Sequence, residues 1–164
     1  MSTNYDDVVV PSDPKMVEKH RVISINIANP SMLYQLRRLF ERKYSLEELL
    51  EWIHTRVKFS QEDISRHNDP LEIIAYGKGR CGEFSILFTA LCLAHNNRAR
   101  IVLDLSDHVW TEVWDRKQQR WVHVDPTEKR INDPKMYVRD WKKNLKEVYA
   151  FENGHMENVT RNYQ

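Results

Sequence analysis

Three residue types able to act together as nucleophile, base and orienting carboxylate occur in that order at Cys81, His108 and Asp125. Cys81 follows a turn punctuated by Gly77 and Gly79 and opens an apolar run, CGEFSILFTALCLAHNN, of helical character. A cysteine at a helix N-terminus meets unpaired backbone N–H groups and the positive end of the helix dipole. Both favour thiolate over thiol, and the same N–H groups can receive a developing oxyanion. Gly79 and Gly82 leave room for the backbone and an incoming acyl group to approach closely. The second cysteine, Cys92, lies deep in the apolar run and reads as a small buried hydrophobe.

Taken singly, each residue has a plain structural explanation. Free cysteines are usually core residues, a lone histidine is usually a surface or turn residue, and Asp125-Pro126-Thr127 is a strong turn signal. The spacing is more telling. The segments HVWTEVW (108–114) and RWVHVD (120–125) alternate as strands, and a four-residue loop over 115–118 joins them into a hairpin. In that register His108 faces Asp125, Trp110 faces His123 and Glu112 faces Trp121. Facing side chains have Cβ atoms about 4.5–5.5 Å apart, which suits an imidazole N–H donating to a carboxylate. A loop of odd length shifts the register by one and weakens the pairing. Trp110 then shares a face with His108, and Trp121 with Asp125. Both are candidates to line a substrate groove, while core residues flanking the site are the commoner outcome for such tryptophans. Glu83 is a candidate for orienting the backbone around Cys81 or for capping its helix, and Asn68 is a candidate polar helper.

The elements that must position these residues read as helices first and strands after, an α+β arrangement. Residues 1–20, with Pro11 and Pro14, read as an N-terminal arm, and VISINIA (22–28) as a strand. Leu33, Leu36, Leu39 and Phe40 recur at helical spacing over 32–42. Ser45 with Glu48 makes a capping box that opens a second amphipathic helix. Asp69-Pro70 leads into a short helix over 70–76, ahead of the run that begins at Cys81. Strands are expected over 99–105, 108–114, 120–125 and 147–151. The cluster Arg139-Asp140-Trp141-Lys142-Lys143 reads as a solvated face.

Composition narrows the function classes. At 164 residues, 41% hydrophobic, 30% charged and net charge +1, the chain has the make-up of one globular domain with no global field for nucleic acid or anionic lipid. The first twenty residues lack the apolar core of a signal peptide, and no run approaches the roughly 18–20 apolar residues of a membrane span. A cytoplasmic protein is the expectation, with no nucleic-acid or membrane partner. The two cysteines lie roughly 16 Å apart along one helix, too far to bridge, and no metal-ligand spacing is present, so neither a disulfide nor a metal or other cofactor is expected.

From Asn68 onward the chain resembles the transglutaminase-like cysteine hydrolases, and within them the peptide:N-glycanases. The resemblance is carried by NDP (68–70), GRCGEF (79–84), DHVWTEVW (107–114), QQRWVHVD (118–125), WKKNLKEVYAF (141–151) and NVTRNY (158–163). It implies a papain-like core over 21–164 with the nucleophile helix packed on an antiparallel sheet. It also implies a Cys81-His108-Asp125 triad and attack on the side-chain amide of a glycosylated asparagine through a thioester. The implied partner is a glycoprotein or peptide substrate, and whether a further protein takes part is open. The glycanases carry a zinc site built from paired CxxC motifs ahead of the nucleophile, and this chain has no such pair. Phe84 replaces the tryptophan usual in the family's GRCGEW segment. Two other outcomes remain open: a cysteine protease or acyltransferase on the same fold, and a non-catalytic protein- or DNA-binding module.

Overall fold

A computed structural model describes residues 10–164. Four consecutive helices begin α1 Pro14–Asn26, α2 Pro30–Arg37, α3 Leu46–Arg56 and, after the two-residue strand β1 Lys58–Phe59, α4 Pro70–Tyr76. Their starts are written in the sequence. Asp13, Asn29 and Asp69 each accept backbone N–H groups ahead of a proline at the first helical turn, and Ser45 with Glu48 closes a reciprocal capping box. Gly77 ends α4 at φ 76°, a left-handed conformation that glycine adopts without penalty. Strand β2 Lys78–Gly79 pairs in parallel with β1 and delivers the chain to α5 Cys81–Ala94.

The strand expected over 22–28 is instead the second half of α1. Val17, His20, Ile23, Ser24 and Ile27 are buried at helical spacing, so the stripe facing the core has period 3.6 and not 2. The β-branched residues that suggested a strand are overridden by packing of this stripe on the sheet. The boundary placed between arm and domain at residue 20 falls inside this helix. Helix α2 likewise stops at Arg37, short of residue 42.

The remaining strands are β3 Ala99–Asp104, β4 His108–Asp115, β5 Arg120–Asp125, β6 Arg130–Ile131, β7 Val148–Glu152 and β8 His155–Asn158, with short helices α6 Met136–Arg139 and α7 Thr160–Tyr163. They form an antiparallel sheet in the order β6-β5-β4-β3-β7-β8. Side chains alternate across it. One face carries Ile101, Leu103, Val109, Val113 and Val124 onto α5 and the helical layer. The other carries Val102, Trp110, Val148 and Ala150 onto Tyr137 and Tyr163. Helix α5 is buried along nearly its whole length between sheet and helices.

Two buried hydroxyl contacts lock α5 to β4. Ser85 Oγ donates to the Val109 carbonyl at 2.9 Å, and the Thr89 and Thr111 hydroxyls pair at 2.9 Å. Ser85 lies one turn into α5 from Cys81, and Val109 follows His108. These bonds therefore set where the helix start stands relative to the strand start.

The hairpin register differs from the expected one. Trp114 pairs with Trp121 and Thr111 with Val124, and the loop occupies 116–119 with Gln119 at φ 53°. The loop has four residues, as anticipated, but sits one position later. Each strand gains or loses one residue at the turn, so every side chain keeps its expected face while its partner moves by two.

Candidate active site

Cys81 is the first residue of α5 and is partly exposed. The turn before it is held by one buried carboxylate. Glu83 accepts the Arg80 N–H at 3.1 Å, the His67 N–H at 3.3 Å and two bonds from the Arg66 guanidinium at 2.7 and 3.0 Å. Burial works to raise the Glu83 pKa, but Arg66 and the backbone donors prevail and hold it below the usual carboxylate range. Glu83 thus both caps the helix and fixes the turn.

The two glycines play different parts. A Cβ at Gly79 would stand 2.5 Å from Glu83 Cβ, so glycine there makes room for the carboxylate that clamps the turn. At Gly82 the nearest atom would be Arg66 Nη2 at 3.4 Å, and the residue borders open space beside Cys81. Asn68 borders the same space.

His108 opens β4 and Asp125 closes β5. His108 Nε2 donates to Asp125 Oδ2 at 2.9 Å, with His108 7% and Asp125 0% exposed. Asp125 also accepts the Glu128 N–H on Oδ1 at 3.1 Å and the Tyr137 hydroxyl on Oδ2 at 2.7 Å. The turn contact and the histidine contact therefore coexist, one on each oxygen. Burial pulls the His108 pKa down, yet hydrogen bonds and charges from Asp125 and Cys81 outweigh it and raise it to about 9. For Asp125, burial opposes ionisation, and the bonds from His108, Tyr137 and Glu128 nevertheless keep its pKa below the ordinary value. With Nε2 engaged by Asp125, Nδ1 is the ring nitrogen left for the thiol.

Two cavities meet at Cys81 and His108. One of about 410 Å³ is bordered by Lys19, Arg66, Asn68 and Ser106, and one of about 500 Å³ by Phe59, Gln61, Thr127 and Trp141. Cys81 and His108 border both, as do Arg80 and Asp107.

The two expected tryptophans belong to the framework, Trp110 with its ring centroid 5.8 Å from that of His108. Trp110 is fully buried and stacks on Tyr137 with ring centroids 4.2 Å apart, and Trp121 packs edge-on against Trp114 at 5.3 Å under the Arg98 and Arg100 guanidiniums. Both are framework residues and border neither cavity. The tryptophan that lines a cavity beside Cys81 is Trp141, 5.0 Å from His108 between ring centroids and 39% exposed. Its segment, expected as a solvated face, is tied down by Lys143, whose Nζ donates to Asp104 at 2.6 Å and Asp107 at 2.9 Å. The clue was a tryptophan amid charges, an unusual residue for a surface that only meets water. Cys92 is fully buried, and burial alone drives its thiol pKa far upward. Among the described residues no cluster of three or more His, Cys, Asp or Glu could hold a metal ion such as the zinc of the glycanases.

Comparison with known proteins adds three findings. The family model described as "Transglutaminase-like superfamily" matches residues 36–126, and that of the "Rad4 transglutaminase-like domain" matches 102–164. The chain is 42% identical over 63% of its length to a peptide-N(4)-(N-acetyl-beta-glucosaminyl)asparagine amidase of Caenorhabditis briggsae, and 37% identical over 75% to that of Homo sapiens. The matches span only 17% and 19% of those relatives' own lengths. In structure, it is similar to a chain of Rad4-Rad23 bound to a 6-4 photoproduct UV lesion, with TM-score 0.69 and 16% identity, covering 91% of this chain and 46% of that one. That likeness extends the shared fold across the helical layer and the sheet. No helix among the described residues is long and apolar enough to cross a membrane.

Proposed function

Because the chain belongs to the transglutaminase-like superfamily, we propose that it is a cysteine amidohydrolase that cleaves the side-chain amide of N-glycosylated asparagine. The observation that carries the chemistry is the His108–Asp125 hydrogen bond beside Cys81 at the start of a buried helix. Support for the substrate comes from about 40% identity to several asparagine amidases, such as the 44% over 98 residues with that of Drosophila melanogaster.

In this reading Cys81 is the nucleophile, His108 its base and Asp125 the orienting carboxylate. The Cys81 proton passes to His108, and the thiolate attacks the amide carbonyl carbon. Backbone N–H groups at the head of α5 receive the oxyanion. Collapse of the tetrahedral intermediate expels the glycosylamine as His108 returns a proton to the leaving nitrogen. A thioester remains. Water, deprotonated by neutral His108, attacks that carbonyl, giving aspartate and the free thiol. A pKa of about 9 keeps His108 protonated at neutral pH once it has taken the thiol proton, which suits the donor step. The two cavities that Cys81 borders offer room for the acyl and leaving-group portions, with Trp141 a candidate surface for a sugar ring. A reactive thiol favours a reducing compartment, so the cytosol is the proposed location.

The test is incubation with a denatured N-glycoprotein and with an unglycosylated peptide. Glycan release with conversion of asparagine to aspartate, lost in Cys81→Ala, is the expected result. Backbone cleavage without glycan release would replace this reading with a protease.

A further inference from the structure

A chain of hydrogen bonds, buried from His123 onward, leads to Asp125 through residues that border neither cavity. The Asp133 backbone N–H points at His123 Nδ1 at 3.1 Å, His123 Nε2 lies 2.8 Å from the Tyr137 hydroxyl, and that hydroxyl lies 2.7 Å from Asp125 Oδ2. His123, Tyr137 and Asp125 are all buried. A backbone N–H can only donate, so Nδ1 must accept and cannot carry a proton. The ring proton then sits on Nε2 and must be given to the Tyr137 oxygen. The tyrosine's own proton has one direction left, toward Asp125. Each bond in the row is thereby oriented by the one before it.

We infer that His123 and Tyr137 are positioning residues: this one-way chain, started by a backbone amide, holds the Asp125 carboxylate in line with His108. The inference rests on the triad reading above. Neither His123 nor Tyr137 borders either cavity, so each acts through Asp125 and not on substrate. The arrangement answers a problem of geometry. His108 meets Asp125 beyond the last ladder pair between their strands, Thr111 with Val124, where the sheet itself no longer sets their separation. The Tyr137 hydroxyl supplies the missing restraint on Oδ2, while the Glu128 N–H restrains Oδ1. Burial keeps His123 neutral, with its pKa lowered to about 4, as the chain requires. The Trp110 stack on Tyr137 would hold a phenylalanine ring equally well, so the hydroxyl can be removed without emptying the core.

The experiment measures iodoacetamide alkylation of Cys81 at pH 7, together with kcat and KM on an N-glycopeptide, for Tyr137→Phe. Tyr163→Phe is the control: it loses a buried hydroxyl bond to Glu112 on the same face without touching Asp125. Alkylation rate and kcat should fall about tenfold in Tyr137→Phe, with KM within about twofold of the parent. Tyr163→Phe should keep the parental alkylation rate. A folded Tyr137→Phe that reacts at the parental rate, or an equal slowing in Tyr163→Phe, would overturn the inference. Should Tyr137→Phe not fold, His123→Gln and His123→Leu decide, since glutamine keeps a donor toward Tyr137 and leucine does not. Faster alkylation in the glutamine variant supports the chain, and equal rates overturn it. A glycopeptide inert toward the parent, with the alkylation pattern intact, contradicts the substrate reading and supports the positioning inference.

Discussion

His108 reaches Asp125 diagonally across the β4–β5 hairpin, Nε2 to Oδ2 at 2.9 Å, with Trp110 and not His108 standing opposite Asp125 when the observed register is extended. The contact survives the two-position offset because both side chains stay on one face, and diagonal neighbours remain within reach of long side chains. It follows that the contact depends on what holds the strand ends, not on ladder pairing alone.

Thr89 and Thr111 are one such hold. Replacing Thr89 with Val leaves the buried Thr111 hydroxyl without its partner and should cost about 1–3 kcal/mol in urea unfolding. Thr89→Val combined with Thr111→Val should cost less than the sum of the two single changes, because no polar group is then stranded. Additive costs would mean that the hydroxyl pair does not join helix to strand.

Gly79→Ala should be among the most damaging small changes in the chain. Its methyl group would press on Glu83 Cβ at 2.5 Å and Cγ at 3.1 Å, atoms close to the helix backbone with little freedom to move. A loss of about 1–3 kcal/mol is expected by thermal or urea denaturation. Gly82→Ala has ordinary contacts only and should fold normally. Any defect there should appear as a raised KM, since Gly82 borders the cavity beside Cys81.

Two histidines should give opposite pH dependences of stability. The folded pKa of His108 is raised to about 9, so its contribution is fully present below the unfolded value near 6.5 and is lost as pH rises through about 9. His123 is lowered to about 4, so its contribution is present above about 6.5 and is lost as pH falls through about 4. Urea midpoints of the parent and of His108→Gln should therefore converge between pH 7 and 10. Those of the parent and His123→Gln should converge between pH 6 and 4. Parallel curves in either range would contradict the corresponding assignment.

Much of this was legible in the sequence, and the failures have physical causes. The caps at Asn29, Ser45 and Asp69 and the turn at Gly77 are local chemistry, and they mark their helices directly. The α+β order and the apolar run after Cys81 likewise announce a helix buried against a sheet. A strand over 22–28 is not what forms, because Val22, Ile23, Ile25 and Ile27 favour strands only locally, while the contacts that decide, including the Gly154 N–H bond to Ser24 Oγ, come from the far end of the chain. The hairpin turn was displaced because Asp115 pairs with Arg120 in the ladder and also caps the loop, accepting the Lys117 and Gln118 N–H groups. The placement of Trp141, Tyr137 and His123 around His108 and Asp125 is not legible locally, because it arises from long-range packing that no local spacing encodes.

The most direct test of the whole account is mass spectrometry of a defined N-glycopeptide incubated with the protein in heavy-oxygen water. The account predicts released glycan and an aspartate carrying one heavy oxygen at the former asparagine, abolished by Cys81→Ala and unaffected by Cys92→Ala. An intact glycopeptide, or label incorporation that persists without Cys81, would contradict it.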